Sequence, residues 1–206
     1  IHAIMTLAAI AVLSVSCRED EWFDPSPAAR EGYVALRFSA DVPAMEKVAT
    51  RAVDPDGGGV QDMTLFCFDS YGLFITTVTA EVISTDVSNG TFQAQVPENT
   101  RTVHFLANQV MTDFEQDQFR SKSEAEVMAL LEGSSGRMIY WARFACDNST
   151  DELKKQTIAQ QMSGKGNSIT MLRNHAKVSV NAPEDNGYFT VKGFAVYNTN
   201  AFGTVA

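Results

Sequence analysis

"YVALRFSADV", residues 33–42, carries the clearest strand pattern in the chain. Val34, Leu36, Phe38, Ala40 and Val42 fall on one face of an extended chain. Tyr33, Ala35, Arg37, Ser39 and Asp41 fall on the other. Side chains alternate between the two faces of a strand, so this pattern predicts a half-buried strand. The chain downstream continues in the same style. "VQDMTLFCFD" (60–69) and "LFITTVTAEV" (73–82) read as two strands joined through Ser70-Tyr71-Gly72, a hairpin signal. "GTFQAQVPENTRTVHFLAN" (90–108) holds two more, broken by the turn residues Pro97, Glu98 and Asn99. "RMIYWARF" (137–144), "NSITMLRNHAKVSVNA" (167–182) and "YFTVKGFAVYN" (188–198) extend the pattern. Ser123 and Glu126 have the spacing of a capping box, which opens a short helix with Val127, Leu130 and Leu131 on its apolar side. "ELKKQTIAQQM" (152–162) is open between element types. No internal repeat is visible. Many short strands with turn signals between them predict an all-β sandwich with one or two short helices.

The segment after the first strand is the oddest in the chain. Residues 43–59 have no strand or helix pattern and include "KVATRAVDPDGGG" (47–59), with Arg51 just ahead of a run of Pro, Asp and Gly. A structureless loop of that length in a compact domain is either functional or disordered. Loose Gly/Pro loops are where proteases cut. The plain alternative for Arg51 is a solvated charge. Arg37, on the outward face of the strand, and Lys47 are weaker cleavage sites.

The N-terminal residues read as an export signal. The chain starts at Ile1, and residues 4–16, "IMTLAAIAVLSVS", are apolar or small, with Cys17 directly after them. That run is short for a transmembrane helix and fits the apolar region of a secretory signal peptide. The basic segment that usually precedes such a region is absent, so residues 1–16 are expected to be a signal peptide that begins partway through. Ser14-Val15-Ser16-Cys17 resembles a lipobox, with Leu13 one place earlier than the commonest pattern. Cys17 is then the lipidation site; the alternative is an ordinary signal peptide that precedes a cysteine. Residues 17–31, with "REDEW", Pro25 and Pro27, read as an acidic tether. The remainder is long enough for one sizeable domain or two small ones. The net charge of -9 argues against nucleic acid as a partner. Cys67 and Cys146 sit among apolar neighbours and read as buried thiols, with a disulfide between them as the alternative outside the cytoplasm.

Sites for chemistry are few. His2 belongs to the signal, and His104 and His175 lack metal-ligand spacing. Asp54, Asp56 and Gly57 look like the start of a calcium loop, but its twelfth position is Leu65 where Glu is required. "SGKGNS" (163–168) departs from phosphate-loop spacing and reads as a turn. No nucleophile elbow or supported Ser/His/Asp order occurs. Asp117 and Glu115 sit in a polar, solvated stretch. These readings expect no enzyme, no catalytic residue, no metal and no cofactor.

"TRAVDPD", a strand ending in "FDSYG", "VPENTRTVHFLAN" and "MLRNHAKVSV" together resemble the fimbrillin family of Bacteroidia, the major and minor subunits of type V pili. Their order and spacing carry the resemblance over nearly all of the chain after the signal. The resemblance implies transthyretin-like β-sandwich domains, of which residues 32–206 are the N-terminal one and a C-terminal domain lies outside this chain. It implies export as an outer-membrane lipoprotein, and "REDEW" is similar to the surface-export signal of such lipoproteins. It further implies an Arg-specific surface protease that cuts between Arg51 and Ala52. The lipid on Cys17 and the strand 33–42 then leave together, and the groove accepts a strand from another pilus subunit. The displaced strand's core face is Val34, Leu36, Phe38, Ala40 and Val42.

Physical chemistry reaches the same device. Burying a large apolar side chain contributes about 1.5–3 kcal/mol. Losing such a strand costs several of these and leaves unpaired backbone groups, a strong drive to accept another strand. While tethered, the strand holds its groove at high effective concentration. The function that the resemblance implies is a structural subunit of a cell-surface fimbrium. The rival is an unprocessed surface-anchored lipoprotein, an anchor or adhesin, that binds a glycan or host protein. A secreted hydrolase is a third reading.

Overall fold

The computed structural model describes residues 29–42, 59–86, 89–109, 116–131 and 138–173, with Gly193 and Ala195. Its strands are β1 (Tyr33–Asp41), β2 (Met63–Phe68), β3 (Phe74–Thr79), β4 (Glu81–Thr85), β5 (Asn89–Pro97), β6 (Thr102–Ala107), β7 (Tyr140–Ala145), β8 (Ser168–Thr170) and β9 (Leu172–Arg173). Three short helices, α1 (Glu124–Leu130), α2 (Asp151–Lys155) and α3 (Ile158–Gly164), and a 3-10 turn, Gln116–Phe119, complete it. The strands form two sheets, ordered β4-β5-β1-β8 and β3-β2-β6-β7-β9. The all-β sandwich is as expected, with somewhat more helix.

The core lies between the sheets. Leu36, Phe38 and Ala40 of β1 and Phe92, Ala94 and Val96 of β5 meet Leu65, Cys67, Val103, Phe105 and Tyr140 of the five-stranded sheet. Cys67 and Cys146 are buried free thiols. A second apolar cluster covers the opposite face of the five-stranded sheet. There Phe66, Phe68, Leu106 and Ile139 pack under Phe119, Val127, Met128 and Leu131. All six residues of β2 and all six of β6 are consequently buried. Strands covered on both faces read as near-continuous apolar runs, and "MTLFCF" is apolar at every position but Thr64.

Local sequence sets the turns. Asp69 Oδ1 accepts from the backbone N–H groups of Tyr71 (2.8 Å) and Leu73 (3.0 Å), closing the expected hairpin. Gly72 supplies the left-handed residue that turn needs, at φ 73°. The chain that follows departs from expectation. Residues 73–82 read as one strand, yet β3 belongs to the five-stranded sheet and β4 to the other. The switch falls at Ala80, whose N–H donates to Met63 O at 2.9 Å. No Gly or Pro marks this corner, because a sandwich turns a strand from sheet to sheet by bending it over the core.

The capping box is present: Ser123 accepts from Glu126 N–H, and the Glu126 carboxylate accepts from Ser123 N–H at 2.8 Å. The buried face of α1 differs from expectation. Leu130 is 48 % exposed, while Met128 is buried beside Val127 and Leu131. Glu124, Val127, Met128 and Leu131 follow the spacing of one helix face. Glu124 turns that face toward the sheet by bonding to His104 and Arg143. Residues 152–162 resolve into parts of α2 and α3. Residues 163–168 form the end of α3 and a turn through Gly166 (φ 84°) and Asn167 (φ 53°) into β8.

Candidate functional site

β1 is an interior strand of its sheet. It pairs antiparallel with β5 over its whole length, from Tyr33↔Pro97 to Asp41↔Asn89. On its other side it pairs in parallel with β8 only from Ser39↔Ser168 to Asp41↔Thr170. Helix α3 packs near β1 and sends Ile158 and Met162 into the same core. α3 is held in place by Gln161, which is buried. Its Oε1 accepts from Asp147 N–H at 2.6 Å, and its Nε2 donates to Asp147 O and Leu153 O at 3.0 and 2.9 Å.

Leu36, Phe38 and Ala40 are fully inside, and Val34 and Val42 are half-buried against the same cluster. Arg37 is exposed. Cross-strand partners share a face, so Val34, Leu36, Phe38 and Ala40 meet Val96, Ala94, Phe92 and Gly90 in turn. Phe38 stacks on Phe92 with ring centroids 5.8 Å apart and meets Phe105 of the facing sheet edge-on at 4.9 Å. Gly90 is where the strand meets a ring. A Cβ there would sit 2.6 Å from Phe92 Cε2 and 2.9 Å from Phe92 Cζ. Beyond Ala40, on the β8 side, stands Ile169, also buried. Gly90, Phe92 and Ile169 flank the core face of β1, and of these only Gly90, a glycine inside a strand pattern, marks the place in the sequence.

Cys17, Arg51 and Ala52 lie outside the described residues, as do His175 and the calcium-like residues Asp54, Asp56 and Gly57.

His104, which lacks metal-ligand spacing in the sequence, sits in a polar cluster under α1. Trp141 Nε1–H donates to its Nδ1 at 3.0 Å, which places the ring proton on Nε2, facing Glu124 Oε1 at 2.8 Å. Arg143 donates to the same carboxylate at 2.6 and 3.2 Å. Burial holds His104 below its ordinary pKa, despite the pull of Glu124. The Arg143 guanidinium holds Glu124 below the usual carboxylate range. Both imidazole nitrogens are thus engaged, Nε2 with helix α1 through Glu124 and Nδ1 with Trp141 on the neighbouring strand β7. Burial pushes Cys67 up to about 12 and raises Cys146, which leaves two protonated, unreactive thiols. Among the described residues, no group of three or more His, Cys, Asp or Glu is placed to hold a metal ion.

No family model and no curated protein matches the chain. Among solved structures it is similar to the C-terminally truncated tip fimbrial protein Mfa3 from Porphyromonas gingivalis. That match has 15% identity and a TM-score of 0.41, over 68% of this chain and 48% of that one. It is also similar to a fimbrial assembly protein from Parabacteroides distasonis, with 10% identity and a TM-score of 0.35, over 68% of this chain and 54% of that one. The chain therefore spans about half the length of the structures it matches.

Proposed function

We propose that this protein is a structural subunit of a cell-surface pilus, polymerised by strand exchange after proteolysis. The observation that carries the reading is the position of β1. It lies between β5 and β8, buries its alternating face in the core, and is followed in sequence by the Pro/Gly-rich segment that contains Arg51. A cut after Arg51 leaves β1 held by non-covalent contacts alone. Its departure opens the sandwich along β5 and exposes the walls that held Leu36 and Phe38. Each large apolar group returned to water costs about 1.5–3 kcal/mol, so the opened groove favours a replacement strand.

In this reading Cys17 carries the lipid that anchors the precursor in the outer membrane, and residues 17–31 form the tether. An Arg-specific surface protease separates Arg51 from Ala52. The partners are other subunits of the same fimbrium. The covalent link keeps β1 at high effective concentration, so assembly waits for the cut.

The test is incubation of the full, non-lipidated precursor with an Arg-specific protease, followed by N-terminal sequencing and a size distribution. The expected result is a single new N-terminus at Ala52 and a ladder of polymers, both lost in Arg51→Ala. An uncut protein, or a cut protein that stays monomeric, would sink the reading and favour an anchored adhesin.

A further inference from the structure

We infer that the β1 groove selects its incoming strand by side-chain size, taking an aromatic residue at the position of Phe38 and rejecting anything larger than alanine at the position of Ala40. The inference rests on the strand-exchange reading. It adds which strands the groove accepts.

The two positions differ in what surrounds them. Phe38 fills the space between the sheets, stacked on Phe92 and edge-on to Phe105. An aliphatic residue there loses ring contacts on both sides, and an alanine leaves a cavity. Ala40 stands in a narrower place. On the β5 side its partner is Gly90, and the Phe92 ring folds back so close to Gly90 that a Cβ has no room. On the β8 side its partner is Ile169. Ala40 itself is completely buried between them. A longer side chain at this position meets the Phe92 ring, the Ile169 side chain or the facing sheet. The Phe92 ring cannot swing away freely, since it is buried and stacked on the residue at position 38. The two positions therefore act together, because an aromatic at 38 holds the ring that keeps 40 small.

The other positions are more permissive. Leu36 lies opposite Ala94, a small partner that leaves space for a large aliphatic. Val34 and Val42 are half-buried at the groove's two ends. Arg37 points to solvent and carries no selection. A strand that enters in the direction of β1, antiparallel to β5, thus carries a large aliphatic residue at position 36, an aromatic at 38 and a small residue at 40. A matching segment belongs to a neighbouring subunit, and a strand shifted by two residues places a large group against Gly90 and is refused. Register is in this way set by one small residue.

The experiment keeps the receptor constant and varies the strand. The full precursor receives a site for a sequence-specific protease between residues 43 and 59, so cleavage does not depend on Arg51. After the cut, β1 is released in mild urea and the protein is diluted into a fluorescent peptide covering residues 32–43. Binding is read by anisotropy. The native-sequence peptide and its Arg37→Ala form are expected to bind within about twofold of each other. The Phe38→Ala peptide should bind at least about a hundredfold more weakly. The Ala40→Leu peptide should bind about tenfold to a hundredfold more weakly. Equal binding of all four would overturn the size selection and leave strand exchange standing. Failure of the native-sequence peptide to bind would overturn strand exchange, and the inference with it.

Discussion

At position 104 a histidine occupies a buried site in a largely apolar strand, and its two hydrogen bonds make that site tolerable. The Trp141 indole can only donate, so it requires a neutral imidazole with Nδ1 free. Burial holds His104 below its ordinary value of 6.5, in the same sense as that bond requires. The unfolded chain takes up a proton there first as pH falls. The stability this neutral histidine contributes is complete above its unfolded pKa and is lost as pH drops through the folded value. Glu124, held below its ordinary 4.5 by Arg143, acts in the same sense at lower pH. Denaturant titrations should show lower stability at about pH 5.5 than at about pH 7.5. In His104→Gln that difference should shrink while stability at the higher pH also falls. An unchanged pH dependence in the variant would assign the effect elsewhere. Gly90 makes a second prediction at this scale. Gly90→Ala forces the buried Phe92 ring to move and should cost about 1–3 kcal/mol by urea denaturation.

Among the elements, α1 shows how little sequence is needed to start a helix and how much is needed to place it. Its seven residues are too few to be stable alone. The Ser123–Glu126 capping box satisfies its first N–H groups, and Val127, Met128 and Leu131 dock it on Phe66, Phe68 and Leu106. Ser123→Ala should lower stability by about 0.5–2 kcal/mol, seen as an earlier urea midpoint with little change in slope. The capping box was legible because it is local. The buried face was misjudged at Leu130 because the anchor, Glu124, finds its partners on β6 and β7, about twenty residues away on either side. β1 was legible over its whole length, since one of its faces packs on the core and the other does not. β2 and β6 show no alternation to read, because the helical layer buries their second face as well.

For the whole molecule, the question is what opening the sandwich along β1 exposes. Cys67 shares the central cluster with Leu36 and Phe38, and burial raises its pKa to about 12. Thiol reagents attack the thiolate, so native protein should label at Cys67 only through rare opening. After cleavage in the 43–59 segment and removal of β1, labelling followed by mass spectrometry should accelerate by orders of magnitude, and added β1 peptide should slow it again. Equal labelling before and after strand removal would mean that β1 does not seal the core.

The strand-rich class, the hairpin at Asp69–Leu73, the start of α1 and the core face of β1 can all be read from the sequence. Each depends on periodicity or turn chemistry within a few residues. The sheet order, the break at Ala80, the burial of His104 and the size of the space around Ala40 emerge from the packed fold. These depend on partners distant in the chain: Gly90 lies fifty residues from Ala40, and Ile169 lies still further on. A strand's pattern states which face is buried. The shape of what it is buried against is set by the other strands.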